Sequence, residues 1–67
     1  MQTQEITAER ITELRERLQW SKARLAREAD MHPSTVGNIE NGRQVAYPTQ
    51  LEKIRTAFER AGVLGDE

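Results

Sequence analysis

WSKARLAREADMHPSTVGNIENGR, residues 20–43, is the stretch on which the fold turns. Ser21 is placed to cap a helix from Lys22 to about Ala29, whose buried face is Leu25, Ala26 and Ala29. A helix this short is marginal alone, so tertiary packing must hold it. After Asp30 and Met31 a second segment starts at Pro33, since proline is tolerated at the first helical position, where its missing N–H costs nothing. Asn41-Gly42 ends it, with Gly42 suited to the left-handed residue that follows a helix. Inside that segment Val36 and Ile39, three apart, are the only aliphatic positions. They are enough to seat it on neighbouring helices. Everything else there, Ser34, Thr35, Gly37, Asn38 and Asn41, is small or polar.

Such a composition is poor for helix stability. Gly37 costs about 1 kcal/mol relative to Ala in a helix interior, and Thr35 and Val36 lose side-chain rotational freedom. One reading is an ordinary surface helix with a tolerated glycine. The other is a short helix whose polar face enters a DNA major groove, where hydroxyls and amides reach base edges. The helix by itself does not decide between them.

Outward from this core, helical periodicity continues in both directions. Thr7 reads as the N-cap of a first helix ending near Leu18, with Ile11, Leu14 and Leu18 on one face. Its charges, such as Glu9, Glu13 and Arg17, sit at helical neighbour spacing and read as a solvated surface. Downstream, RQVAYP is a loop, and Thr49 to Glu52 (TQLE) has the form of a capping box opening a fourth helix. Leu51, Ile54, Ala57, Phe58 and Ala61 form its apolar stripe, and Gly62 and Gly65 break it ahead of a short acidic tail. No strand, repeat or low-complexity segment is legible.

Length and composition exclude much. A chain of 67 residues buries only about 60% of its unfolded-state surface, which leaves little room for an elaborate catalytic cleft. The absence of cysteine removes disulfides, thiolate metal sites and a thiol nucleophile. The N-terminus lacks the apolar core of a signal peptide and no apolar run is long enough to span a bilayer, so the expected location is the cytoplasm. Net charge is -1, with a pI near 5.8, which argues against tight non-specific binding to nucleic acid. Only residues 19–43 lean basic, with Lys22, Arg24, Arg27 and Arg43 against Glu28, Asp30 and Glu40.

The small Ala26, the turn at Asp30 and the seating residues Val36 and Ile39, with NIENG following and LRERL upstream, resemble the helix-turn-helix of the lambda-like phage repressor, Cro and XRE family. The resemblance runs from about Ile11 through Val63. Asp30 departs from it, since the family most often has Gly there, although Asp tolerates the left-handed conformation better than most residues. The implied fold is all-α: a bundle of four short helices, or five, lambda-repressor-like, with the helix-turn-helix core at about 21–42, a loop at 43–48 and the fourth helix at about 49–61. Many relatives continue into a fifth helix, whereas here only LGDE follows Val63.

The resemblance also implies a site. Pro33, Ser34 and Asn38 match base-facing positions, with Thr35 beside them. Asn38 is the best suited to specific contact, because an amide pairs bidentately with adenine. Lys22 at the start of the second helix and Asn41 and Arg43 after the third match phosphate-contacting positions, and Ser21 and His32 are further candidates for phosphate contact. The alternative reading of Asn41 is a plain helix terminator. Arg15 and Glu40 fall where relatives pair an Arg of the first helix with a Glu of the third.

His32 is the only histidine and lacks companions for a metal site or a catalytic group, so the N-cap of the third helix or a phosphate is its expected place. Trp20 is expected to pack over the first turn, Tyr47 against the loop, and Phe58 in the core. The function expected is sequence-specific binding of double-stranded DNA by a prokaryotic or phage transcription regulator, most simply a repressor. It would act as a homodimer, with no enzymatic activity, cofactor or metal. Val63 and Leu64, with Phe58 or Tyr47, are the apolar candidates for the dimer surface. The alternative is a protein-interaction module on the same fold, such as a toxin-neutralising antitoxin or a docking domain, whose partner is another protein.

Overall fold

In the computed structural model, which describes residues 6–64, the order of elements is α1 (Ala8–Arg17), α2 (Lys22–Glu28), α3 (Pro33–Glu40) and α4 (Pro48–Ala61). No strand occurs among the described residues. Gly65 and the acidic tail lie outside them.

The first three helices each start on a residue whose side chain satisfies an otherwise unpaired backbone N–H. Thr7 Oγ1 accepts from the Arg10 N–H at 3.1 Å, Ser21 Oγ from the Arg24 N–H at 3.0 Å, and His32 Nδ1 from the Ser34 N–H at 3.1 Å. At α4 the expected Thr49–Glu52 box is not formed. Tyr47 is the N-cap, Pro48 takes the first turn, and Gln50 reaches back to accept from the Tyr47 N–H at 2.9 Å. Proline's fixed φ starts the helix before Thr49 can cap it, so Thr49 lies inside the first turn.

The helix ends share one device. The residue after α1, α2, α3 and α4 that turns the chain is Gln19, Asp30, Gly42 and Gly62, each with positive φ. In every case the next N–H reaches back five residues: Trp20 to the Arg15 carbonyl, Met31 to Ala26, Arg43 to Asn38 and Val63 to Phe58, at 2.9–3.2 Å. These are Schellman closures. Glycine was expected at the last two; Gln19 takes the same conformation without it.

The core is Ile11 and Leu14 of α1, Leu25 and Ala26 of α2 with Ala29 just beyond, Val36 and Ile39 of α3, and Ile54, Ala57 and Phe58 of α4. Leu18, Leu51 and Ala61 sit half-buried at its edge. Ala26 lets α2 and α3 approach closely, and this pair makes the most extensive helix contact in the molecule. Two expectations about aromatics need correcting. Phe58 is completely buried, as its place on the apolar stripe of α4 predicts, and this removes it from the candidates for a dimer surface. Tyr47, expected to pack against the loop, is 65% exposed and its side chain makes no capping bond. Trp20 is half-buried against Phe58, with ring centroids 6.3 Å apart, and carries Arg24 over its outer face at 5.0 Å.

Candidate nucleic-acid interface

The geometry of α3 follows from its two apolar residues. Val36 and Ile39 face inward and are buried, so the helical repeat turns Ser34, Asn38 and Asn41, spaced four and three apart, to the opposite side. Ser34 and Asn41 are exposed, while Thr35 and Asn38 are half-buried on the flanks. Within the described residues the side chains of Thr35, Asn38, Asn41, Lys22 and Arg43 form no hydrogen bond or ion pair. Pro33, also exposed, offers only an apolar edge.

His32 and Ser34 act as a unit. His32 Nδ1 lies 3.1 Å from the Ser34 N–H and 2.9 Å from its hydroxyl. With Nδ1 accepting from the Ser34 N–H, a neutral ring carries its proton on Nε2 and can donate it. Ser34 Oγ, having donated, keeps lone pairs for a donor outside the protein. Ser21 likewise spends its oxygen on the cap of α2 and retains its O–H. Lys22 beside it is exposed at the first position of the helix.

What holds α3 in place is a clamp at its last residue. Arg15 Nε donates to Glu40 Oε2 at 2.8 Å and its Nη2 to Oε1 at 3.1 Å, a bidentate arrangement. The third guanidinium nitrogen, Nη1, donates to the Trp20 carbonyl at 2.9 Å, where the chain enters α2. Thr12 Oγ1 adds a further bond to Glu40 Oε1 at 3.0 Å. Side-chain exposure is 11% for Arg15 and 3% for Glu40. The hydrogen bond to Glu40 raises the Arg15 pKa above its ordinary value; desolvation opposes this, and the charges of Glu40 and Glu16 add to it. One guanidinium thus ties α1, the end of α3 and the approach to α2. Thr12 and the Trp20 carbonyl were not anticipated. Thr12 lies one turn from Arg15 on α1, which is a legible signal, but the carbonyl depends on the left-handed turn at Gln19 and is not.

The profile of the helix-turn-helix domain family matches residues 8–67, nearly the whole chain. The chain belongs to the helix-turn-helix domain family. No curated protein and no solved structure matches it.

In helix-turn-helix terms α2 is the first helix of the motif, residues 29–32 are the turn, and α3 is the second helix. The turn is closed by the Met31 N–H to Ala26 carbonyl bond, with Asp30 at φ 58°. The acids of this half of the molecule are each beside a base: Glu40 on Arg15, Glu28 on Arg24 at 3.0 Å, and Asp30 near Lys53 at 3.8 Å. Lys22 and Arg43, at the start of the motif and just past its end, are left without a partner among the described residues. The near-neutral total therefore conceals a helix-turn-helix face with no unpaired carboxylate on α3. Among the described residues no group of His, Asp or Glu is arranged to hold a metal, and no helix is long and apolar enough to cross a membrane.

Proposed function

We propose that this helix-turn-helix protein binds double-stranded DNA sequence-specifically and regulates transcription, most simply by covering a promoter. The observation that carries this reading is the outer face of α3, where the Asn38 and Asn41 amides and the Thr35 hydroxyl have no partner among the described residues while the helix itself is clamped at Glu40. Asn38 reads an adenine edge, and Ser34 and Thr35 add weaker discrimination with Pro33 against a thymine methyl. Ser21, Lys22, His32, Asn41 and Arg43 hold phosphates and set the register without carrying sequence information. With so few cations the electrostatic contribution is small, and two copies on half-sites about 34–36 Å apart supply the affinity that one lacks. The work is done in the cytoplasm by side chains alone, without a cofactor.

The test is selection of duplexes from a random pool near physiological salt, followed by titration of the winner with Asn38→Ala and Lys22→Ala. Asn38→Ala is expected to lose about 1–3 kcal/mol at the best site and to relax one base position. Lys22→Ala should weaken all sequences alike and reduce the salt slope by about 1. Unchanged site preference in Asn38→Ala would place the reading face elsewhere. No enrichment at all, with binding that vanishes as salt rises, would favour the protein-interaction reading of the same fold.

A further inference from the structure

A serine hydroxyl is ordinarily a poor reader of bases, because its hydrogen rotates to suit a donor or an acceptor. Ser34 differs from the other hydroxyls near the outer face of α3. Thr35 has no partner among the described residues, and Ser21 accepts a backbone bond and keeps its hydrogen free. Ser34 instead places its Oγ 2.9 Å from His32 Nδ1, the same nitrogen that caps the Ser34 N–H at 3.1 Å. Both side chains are exposed.

From this contact we infer that His32 is a positioning residue that fixes the Ser34 hydroxyl as an acceptor, so that Ser34 selects a base offering an amine, adenine or cytosine, over guanine or thymine. In the neutral ring that caps α3, Nδ1 carries a lone pair and can only accept. The Ser34 hydrogen then points back to the ring, and the hydroxyl presents lone pairs alone to the outside. In the major groove adenine and cytosine offer an exocyclic amine as donor, whereas guanine and thymine offer acceptors. The choice of base rests on the function proposed above; the coupling of ring to hydroxyl does not.

The same contact has a second state. When both ring nitrogens are protonated, Nδ1–H donates to Ser34 Oγ, the Ser34 N–H loses its acceptor and the hydroxyl hydrogen is released outward. Ser34 then suits guanine or thymine. Imidazole is the side chain that makes this change of charge between about pH 5 and 8. No described residue forms an ion pair with the ring to hold either state. The acids nearest in the chain are Glu28, 3.0 Å from Arg24 of α2, and Asp30, 3.8 Å from Lys53 of α4, and Lys22 at the start of α2 has no partner among the described residues.

The chain has one histidine, so its ring nitrogen resonances are read without ambiguity in the free, isotope-labelled protein. At about pH 8 the proton should lie on Nε2, and on acidification to about pH 5 the Ser34 amide proton should shift with the same midpoint as the ring. A proton on Nδ1 at the upper pH, or a Ser34 amide that ignores the titration, would overturn the inference without any DNA present. Selection of duplexes at the two pH values supplies the other arm. At the base position whose preference disappears in Ser34→Ala, the natural chain should favour adenine or cytosine by about three- to tenfold at the upper pH and lose or reverse that preference at the lower. His32→Ala, with circular dichroism confirming its helices, should show no preference there. His32→Asn, whose oxygen accepts from both donors and does not titrate, should show a preference that no longer changes with pH. Retention of the preference in His32→Ala, or equal preference of the natural chain at both pH values, would overturn the proposal. Resonances as expected with no duplex enriched would leave the ring–hydroxyl coupling standing and sink the DNA reading, and the choice of base with it.

Discussion

At Asp30 the backbone holds φ 58°, a conformation that costs an L-residue about 1–2 kcal/mol. The Asp30 side chain repays little of that: it is 94% exposed and its approach to Lys53 is 3.8 Å, an exposed pair of negligible strength. Asp30→Gly should therefore raise stability by about 0.5–1 kcal/mol after the extra chain entropy of glycine is subtracted. Urea denaturation would show this as a higher midpoint at constant slope, and a lower midpoint would mean that Asp30 does more for the turn than its contacts indicate. Gly37 presents the opposite case. A Cβ built there meets no atom of another element within 4 Å among the described residues, so packing of those residues does not require glycine. Gly37→Ala is expected to add up to about 1 kcal/mol, visible as a rise in Tm; a fall would show that the open space is not available to a methyl group.

Among the elements, α3 depends most on its ends. It has eight residues and only two core side chains, so the cap on His32 and the clamp on Glu40 together fix where it starts and stops. His32→Ala removes the bond to the Ser34 N–H and should lower stability by about 0.5–2 kcal/mol, while His32→Asn restores a capping oxygen and most of that loss. Thermal unfolding of the two variants checks it, and equal Tm values would mean that the imidazole cap is idle. The boundaries of α1 to α3 were legible because Thr7, Ser21, Pro33 and Gly42 are strong local signals. The start of α4 was misread by a residue because two start signals overlap, Pro48 at the first helical position and Thr49 three residues before Glu52. The proline constrains φ outright, and a capping hydroxyl only stabilises an alternative.

The scale of the whole molecule is where the Arg15–Glu40 clamp belongs, since it joins residues 25 apart in sequence. Glu40→Ala leaves Arg15 charged and nearly buried without its partner, at an expected loss of about 3–5 kcal/mol. Against a total of about 5–15 kcal/mol for a native domain, this brings so small a protein close to unfolding. Denaturant titration decides the matter, and a loss below about 1 kcal/mol would mean that water replaces the carboxylate. The Arg15 side of the clamp does not add pH dependence near neutrality. Its folded pKa is raised, so the stabilisation is complete below the unfolded arginine range and lost only above it.

Local chemistry determined which segments are helical, which residues end them and which side of α3 is polar, because capping, proline geometry and apolar spacing act within a few residues. The family resemblance, carried by that spacing, placed Arg15 opposite Glu40 and nominated Asn38 and its neighbours. Other features were decided only when the helices packed. The Thr12 bond to Glu40 and the stacking of Trp20 on Phe58 depend on residues distant in sequence. Each requires α1, α3 and α4 to be at fixed angles and distances, and those follow from how ten side chains fill one core rather than from any pattern along the chain.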